Sequence, residues 1–376
     1  GCRSRGQAAG RAYHVHPRTE VVAICDLVED RLNGLGDELG VNARYRDLDA
    51  MMREERPDIV AIPTGTEFHC DLGLRVLEYG AHIDVEKPIC IDLEEADRLV
   101  AKATDKNCQI AVHHQGRTGS AMRAVEAAYQ AGKIGELRYV SGSGKGYYGG
   151  YGLMNIGTHT INAMLELTGS CRQIFALATT GGRSVAPTDV VTSPSGMGTI
   201  LGENISATLA FDKGVTATLT QHRFPTVDSR AYHAEFFGTE GRLYWGNSTA
   251  FWLPHPHQVP CEDVRGWEPI TADLPGFGSI GAAAVDDVLF VDEYVNALDE
   301  GRPHASSGLE GVHVLEIMMG VFESAAFGSR VALPQKDRSH PLTRWRNAMG
   351  QGPTADMPRP YAEWLAAEDA RLVGRR

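Results

Sequence analysis

Glu86-Lys87-Pro88 follows the apolar-rich run Ala81-His82-Ile83-Asp84-Val85, which sets one lysine at the carboxyl end of a predicted strand. In open α/β sheets that is where cofactor and substrate meet. Taken alone, the tripeptide reads equally as a solvated loop; its weight comes from what flanks it. Gly1-Cys2-Arg3-Ser4-Arg5-Gly6 has the G-x-G-x-x-G spacing of a dinucleotide-binding turn, with Arg3 where the second glycine would stand. That glycine ordinarily lets the backbone approach a pyrophosphate, while two arginines beside a diphosphate are electrostatically sensible. Asp26 closes the strand-like run Val21-Val22-Ala23-Ile24-Cys25 about 20 residues beyond Gly6, where an acid accepts hydrogen bonds from an adenosine ribose. An acid there also repels a 2′-phosphate, which favours NAD over NADP.

The second constellation is Asn155-Ile156-Gly157-Thr158-His159-Thr160-Ile161-Asn162, entering a helix that runs to Leu167 and stops at Gly169. At helical spacing Asn155 and His159 share one face, with Asn162 a turn further, while Ile161, Met164, Leu165 and Leu167 supply the buried side. The glycine-rich Tyr147-Tyr148-Gly149-Gly150-Tyr151-Gly152 precedes it and could shape a pocket over its N-terminus. Lys145, Tyr147, Tyr148 and Tyr151 stand just before this helix, and Arg117 and His222-Arg223 end predicted strands of the second domain. Converging, they would make a basic pocket in an acidic protein, suited to a sugar bearing a carboxylate, sulfonate or phosphate. Scattered solvated charges with aromatic packing read equally well.

These residues need elements to position them. In the first third, strand-like Val21 to Asp26 and Asp58 to Pro63 are followed by helical Leu48 to Glu55, Phe68 to Tyr79 and Leu93 to Thr104, with further strands around Ile83-Asp84-Val85 and Gln109 to Val112. That rhythm predicts a parallel sheet with helices on both faces, a Rossmann domain over 1–117. After a helix from Ser120 to Ala131, period-two runs appear at Leu137 to Ser141, Ile205 to Phe211, Val215 to Gln221, Ala234 to Phe237 and Arg242 to Trp245. They predict an α/β domain over 118–333 with an open, mostly antiparallel sheet, closed by helices at Asp286 to Glu300 and Leu309 to Gly328. From 334 to 376, Pro341, Pro353, Pro358 and Pro360 read as an extended arm ending in a helix at Tyr361 to Leu372, packed on a neighbour or across its own domain. A homo-oligomer, dimer or tetramer, is expected. Because nothing strand-like precedes Gly1, a short apolar strand upstream of this numbering is expected as well.

At 376 residues, two domains are the default. A net charge of −12 argues against nucleic acid or an anionic membrane as the main partner. No segment approaches the roughly 20 apolar residues of a membrane span. The seven cysteines (Cys2, Cys25, Cys70, Cys90, Cys108, Cys171, Cys261) are odd in number, widely spaced and free of a CxxC pair, which reads as reduced thiols in a cytoplasmic protein. His113-His114 and His255-Pro256-His257 lack carboxylate or thiolate partners at ligand spacing, so no metal is expected.

Taken together, the chain resembles the Gfo/Idh/MocA oxidoreductases. The likeness rests on the GxGxxG-like turn, the strand ending in Asp26, Ile62-Pro63-Thr64 followed by His69, Glu86-Lys87-Pro88, Gln115-Gly116-Arg117 and the helix bearing His159. It implies NAD held by Gly1, Arg3, Ser4, Arg5, Gly6, Asp26, Thr64, His69, Glu86, Lys87 and Gln115, and substrate held by Arg117, Lys145, Tyr147, Tyr148, Asn155, His159 and His222. It also implies that Lys87 orients the reacting hydroxyl while His159 accepts its proton, roles that suit a cationic lysine and a histidine titrating near neutrality. Where many members of that family carry an aspartate four residues before the histidine, this chain has Asn155, whose amide can hold a sugar hydroxyl but cannot stabilise an imidazolium by charge. The leading expectation is NAD-dependent oxidation of a secondary hydroxyl of a sugar or cyclitol. The alternative is a redox-neutral NAD-dependent glycosidase, in which C3 is oxidised, the aglycone eliminated and the hydride returned, acting on an anionic glycoside such as a sulfoquinovoside. A third reading is an NAD-binding sensor without chemistry.

Overall fold

The computed structural model describes every residue except 247, 258–265, 355–360 and 374–376, and the side chains of 372 and 373. Cys261, Pro358 and Pro360 therefore lie outside the described residues. In chain order the first elements are α1 (Ser4–Val15), β1 (Ile24–Cys25), α2 (Glu29–Leu39), β2 (Arg44–Tyr45), α3 (Leu48–Glu55), β3 (Ile59–Ile62), α4 (His69–Glu78), β4 (His82–Val85), α5 (Leu93–Asp105), β5 (Ile110–Val112) and α6 (Gln115–Thr118). There follow α7 (Ser120–Gln130), β6 (Leu137–Ser143), α8 (Gly149–Gly152), α9 (Thr158–Thr168), β7 (Cys171–Thr180), β8 (Arg183–Ser184), β9 (Val191–Thr192), β10 (Thr199–Ile200), β11 (Asn204–Phe211) and β12 (Thr216–His222). The rest are β13 (His233–Gly238), β14 (Arg242–Gly246), β15 (Thr249–Leu253), β16 (Glu268–Pro269), α10 (Val285–Asp299), α11 (Gly308–Phe327), β17 (Val331–Ala332), α12 (Pro341–Ala348) and α13 (Tyr361–Val373).

Two compact units divide the chain: one of Gly1–Cys90, Glu95–Ser120 and Asp273–Val312, the other of Ile91–Glu94, Ala121–Ala272 and His313–Arg376. In the first, β3, β4 and β5 form a parallel sheet in that order, and β1 pairs parallel with β2. Ile83, Asp84 and Val85 are all buried, as expected of a parallel strand covered on both faces. Asp47 caps α3 by accepting the Ala50 amide, and Gly40 ends α2 in the left-handed conformation.

Three features of this unit differ from the sequence reading. Within the run Val21 to Asp26, only Ile24 and Cys25 form β1. Helices α1 and α2 were not foreseen: α1 buries Gly6, Ala9 and Ala12, residues too small to register as an apolar stripe, and α2 carries Gly34 and Gly36 in its middle. Helix α10, expected in the 118–333 domain, belongs to the first unit. Its Val288, Val291 and Val295 pack with Ala12 of α1, and each buried valine contributes roughly 1.5–2 kcal/mol.

The second unit is built on a ten-stranded sheet ordered β16-β15-β14-β13-β6-β12-β11-β7-β17, with β8 paired to β7. The β6–β12 pair is parallel and its neighbours are antiparallel. Helix α9 lies close against β6, where a Cβ on Gly142 would come within 2.3 Å of Met164 and 2.7 Å of Thr160. Strand β7 was missed in the sequence because its inward positions are Cys171, Ile174, Ala176, Ala178 and Thr180, too few of them large to show alternation. The 334–376 segment is not simply extended either. Pro341 opens α12 at a position where a missing amide costs nothing, and α13 buries Trp364 within its own unit.

Candidate active site

The dinucleotide turn of the first unit is shaped by close backbone approach. A Cβ on Gly6 would stand 1.9 Å from the Gly1 carbonyl oxygen, so only glycine fits as α1 leaves the turn. Arg3, exposed and in the extended conformation, occupies the N-cap without a side-chain cap, which leaves first-turn amides of α1 for an anion. Asp26 Oδ2 accepts the Cys2 amide at 2.6 Å and Oδ1 accepts the Val28 amide at 2.7 Å. Burial would push this carboxyl up, but those two amides hold it below the usual carboxylate range. It stays ionised and retains lone pairs for ribose hydroxyls. The donor set therefore fits a dinucleotide: backbone amides for the diphosphate, a fixed anion for the ribose.

A chain of alternating charges runs behind this turn. Tyr13 Oη donates to Asp84 Oδ2 at 3.1 Å, and His113 bridges Asp84 Oδ1 (2.9 Å) and Asp287 Oδ1 (3.1 Å) through its two ring nitrogens. Arg5 then donates to Asp287 at 3.1 Å and to Glu86 at 2.5 Å, and the second Glu86 oxygen accepts the Lys87 amide at 3.2 Å. Burial alone would lower the His113 pKa, but Asp84 and Asp287 outweigh it and push it up to about 10. Burial likewise works to raise Glu86 and Asp287, yet Arg5 and His113 keep both carboxyls below their ordinary values. An imidazolium satisfies both carboxylates with its two N–H groups, which neutral imidazole cannot do. The chain ties α1, the ends of β4 and β5, and α10 to the turn that carries Lys87.

His69 is fully buried, with Nδ1 2.9 Å from the Pro88 carbonyl and Nε2 3.2 Å from the Thr64 carbonyl, and burial lowers its pKa. It is a strut between the segments that follow β3 and β4. Gln115 and Arg117 lie half-buried on α6; Arg117 was expected to end a strand of the second domain and instead sits on this short helix of the first unit. Ser4 is exposed at the start of α1, and Arg5, expected at the diphosphate, has its guanidinium engaged by Glu86 and Asp287.

In the second unit, the approach to α9 passes through a π turn at Leu153–Gly157. Such one-turn widenings inside helices are frequent at functional sites. The widening puts Asn155 in the irregular turn, where its Nδ2 donates to Tyr151 Oη at 3.1 Å, so the shared α-helical face expected for Asn155 and His159 is interrupted. Nor does α9 have a solvated polar side: His159, Thr160 and Asn162 are all buried with its apolar residues. The His159 and Tyr232 ring centroids lie 6.3 Å apart, and Lys145 Nζ sits over the same tyrosine ring, 4.7 Å from its centroid. Lys145 is half-buried, which lowers its pKa, and it has no carboxylate in ion-pair reach among the described residues.

The other expected substrate groups part company. Tyr148 is fully buried edge-on to Trp364, its amide donating to Tyr361 Oη at 3.0 Å. Tyr147 packs edge-on against Tyr151 and Tyr361. Arg223 is committed to Glu203 and Asp369. His222 bonds Ser206 at 2.9 Å on the face of β12 opposite to Ala217, Leu219 and Gln221. Strand alternation carries Gln221, not His222, to the buried side, and a Cβ on Gly144 would stand 2.0 Å from its Oε1. The glycines before α9 answer to packing as well: Gly149 and Gly150 donate to Glu203 O (2.8 Å) and Gly202 O (2.9 Å), and a Cβ would stand 2.7 Å from the Gln221 carbonyl oxygen on Gly149 and 2.6 Å from that of Leu201 on Gly150. Gln221 was missed, although the period-two pattern of Val215 to Gln221 already places an amide at an inward position.

A parallel α/β unit with a glycine-fitted turn, a ribose-side aspartate and a strand-end lysine, joined in one chain to a large antiparallel sheet, defines a nicotinamide-dependent oxidoreductase class. The family model described as "Oxidoreductase family, NAD-binding Rossmann fold" matches residues 1–114, and that of the GFO/IDH/MocA C-terminal domain matches residues 122–244. The chain belongs to the Gfo/Idh/MocA oxidoreductases. It is 24% identical over 338 residues to a D-apiose dehydrogenase of Paraburkholderia graminis, covering 86% of this chain and 85% of that protein. A D-apiose dehydrogenase of Rhizobium rhizogenes is 22% identical over 324 residues, covering 83% and 89%. Among solved structures, a levoglucosan dehydrogenase in complex with NADH and levoglucosan superposes with a TM-score of 0.71 at 19% identity, covering 89% of this chain and 98% of that one. No described helix is long and apolar enough to cross a membrane.

Proposed function

We propose that this protein oxidises a secondary hydroxyl of a sugar or cyclitol by hydride transfer to NAD. The observation that carries the reading is the anchored turn Glu86-Lys87, tied through Arg5 to the first turn of the dinucleotide helix. When bound, NAD supplies the hydride acceptor. The Gly1 to Gly6 turn holds its diphosphate and Asp26 its ribose, while His69 fixes the Thr64 and Pro88 carbonyls of the segments that follow β3 and β4. Lys87 hydrogen-bonds and orients the reacting hydroxyl, its charge favouring the developing alkoxide. His159 accepts the hydroxyl proton, and Asn155, held by Tyr151, offers an amide to a neighbouring hydroxyl.

Lys145 supports the finer reading that the sugar carries an acidic substituent, since its half-desolvated ammonium has no carboxylate partner among the described residues. The commitment of Arg223 to Glu203 and Asp369 removes that cation from the reading. The redox-neutral glycosidase is not favoured, because the relatives that span most of the chain are dehydrogenases. A cytoplasmic homo-oligomer joined through the outer face of the large sheet remains part of the proposal. Phe175 and Leu177 of β7 stand exposed there at 45% and 63%.

The test is a panel of neutral and acidic sugars and glycosides, followed simultaneously by reduced-nicotinamide absorbance and aglycone release. Net NADH formation, lost by about 10²–10⁴-fold in Lys87→Ala, is the expected result. Aglycone release without NADH would overturn it in favour of the glycosidase.

A further inference from the structure

The first unit holds a pair of thiols that the oxidoreductase reading does not use. The sulfurs of Cys70 and Cys90 and a carboxylate oxygen of Glu95 all lie within 4.8 Å of one another. Both cysteines are buried, at 3% and 0% exposure. Cys70 is the second residue of α4, so its sulfur lies at the positive end of a ten-residue helix. Arg98 of α5 donates to the same sulfur at 3.5 Å. Cys90 follows Lys87-Pro88-Ile89 at the end of β4, so the two sulfurs come from segments that His69, the neighbour of Cys70, already links.

We infer that Cys70 and Cys90 form a redox-active dithiol that closes to an intramolecular disulfide by exchange with a small-molecule disulfide.

The charges around the pair separate this chemistry from metal binding. A divalent cation among two thiolates and a carboxylate would share the site with the Arg98 guanidinium, whereas a single thiolate nucleophile is stabilised by it. Pairing with Cys90 lowers the Cys70 pKa most, burial and then the Glu95 carboxylate oppose it, and Arg98 adds to the lowering, which prevails. A second pair in the same unit gives the contrast. Cys2 donates its thiol to the Cys25 carbonyl at 3.8 Å, and both thiols are raised, first by burial and then by the neighbouring Asp26. Proximity is common to the two pairs; activation belongs to Cys70.

In the reaction the Cys70 thiolate attacks one sulfur of the small disulfide, forming a mixed disulfide and expelling one small thiolate. The Cys90 thiolate then attacks the Cys70 sulfur and expels the second small thiolate. Two electrons pass from the protein dithiol to the small disulfide, and the two protein protons go to solvent or to the leaving thiolates. Access requires opening of the first turn of α4, a local event cheaper than unfolding the unit.

The test equilibrates the reduced full-length protein with graded ratios of reduced and oxidised glutathione, quenches with an alkylating reagent and maps cysteines by peptide mass spectrometry. A crosslinked Cys70–Cys90 peptide pair, two hydrogens lighter, should accumulate while Cys2 and Cys25 remain alkylated. Cys90→Ala should stop at a glutathione adduct on Cys70. Arg98→Met should slow closure at pH 7 by about threefold, the smaller thiolate fraction being partly offset by the greater nucleophilicity of a more basic sulfur. Alkylation of both Cys70 and Cys90 at every ratio, or crosslinking of Cys2 to Cys25 in preference, would overturn the inference. So would stoichiometric protection of the pair by added Zn²⁺ that a chelator reverses, which would make the site a metal centre.

Discussion

His113→Gln removes the central cation of the buried charge chain and leaves Asp84 and Asp287 facing each other across a neutral amide. Both carboxylates are nearly inaccessible, at 2% and 3% exposure. At an effective dielectric of about 20, an imidazolium about 4 Å from a carboxylate charge is worth about 4 kcal/mol per contact, before the cost of burying the ions is subtracted. Breaking such a buried arrangement by deleting one partner costs about 3–5 kcal/mol, the expected loss here. The pH dependence supplies an independent signature. The folded His113 pKa is pushed up to about 10, above an unfolded value of about 6.5. Its contribution to stability is therefore fully present below pH 6.5 and is lost as pH rises through 10. Within that window each pH unit removes about 1.4 kcal/mol, so about 2 kcal/mol goes between pH 7 and 8.5. The five tryptophans, Trp245, Trp252, Trp267, Trp345 and Trp364, all lie in the second unit, so their fluorescence reports the wrong part of the chain. Native-state hydrogen exchange of the β4 and β5 peptides, corrected for the intrinsic pH dependence of exchange, reads the right one. A His113→Gln protein that kept wild-type protection, or that lost protection with the same slope from pH 7 to 8.5, would refute the assignment of a buried imidazolium.

Three further outcomes follow from the geometry. Gly6→Ala sets a methyl group 1.9 Å from the Gly1 carbonyl and must displace α1 from the turn; NAD affinity measured by calorimetric titration should fall at least about tenfold, roughly 1.4 kcal/mol. Asp26→Asn keeps the size of the side chain but removes the charge that repels a 2′-phosphate, and the preference for NAD over NADP in steady-state kcat/KM should narrow by about tenfold. Trp364→Ala empties a fully buried site between Tyr148, Tyr151 and Tyr361, and should cost the second unit about 3–5 kcal/mol in urea unfolding followed by the remaining tryptophans.

The parts of the fold that were legible in the sequence are those where one pattern dominated. The β-branched run at β3, the alternation of β11 through β14 and the strand-end Glu86-Lys87-Pro88 each followed from a single periodicity and its terminator. What was hidden depended on partners distant in sequence. Nothing near His113 announces that Asp84 and Asp287 will close on it, and without them Asp286-Asp287 reads only as the acidic first turn of a helix. Arg5 looked like a diphosphate ligand because Glu86 and Asp287, which engage it, lie far along the chain. Two misreadings were local. The π turn at Leu153–Gly157 widens a spacing that i, i+4 counting takes for granted, and one step along β12 exchanges His222 for Gln221 on the inward face. The family resemblance required neither correction, because it rested on the turn, the strand ends and the helix in order.

Asp287 completes the charge chain of a unit whose other charged members, Arg5, Asp84, Glu86 and His113, have all been made by residue 113. During synthesis most of the second unit intervenes, a delay of roughly 10–30 s at ~5–20 residues per second. Through that interval the emerging cofactor half holds Arg5 and His113 without the Asp287 carboxylate that pairs with them, and Ala12 without the valines of α10 that pack on it in the finished protein. The first unit is therefore complete only once residue 312 has been made, and the second only with the final segment from His313. A nascent chain stalled before residue 273 should bind neither dinucleotide nor the protections of β4 and β5, whereas one extended past residue 312 should gain both together.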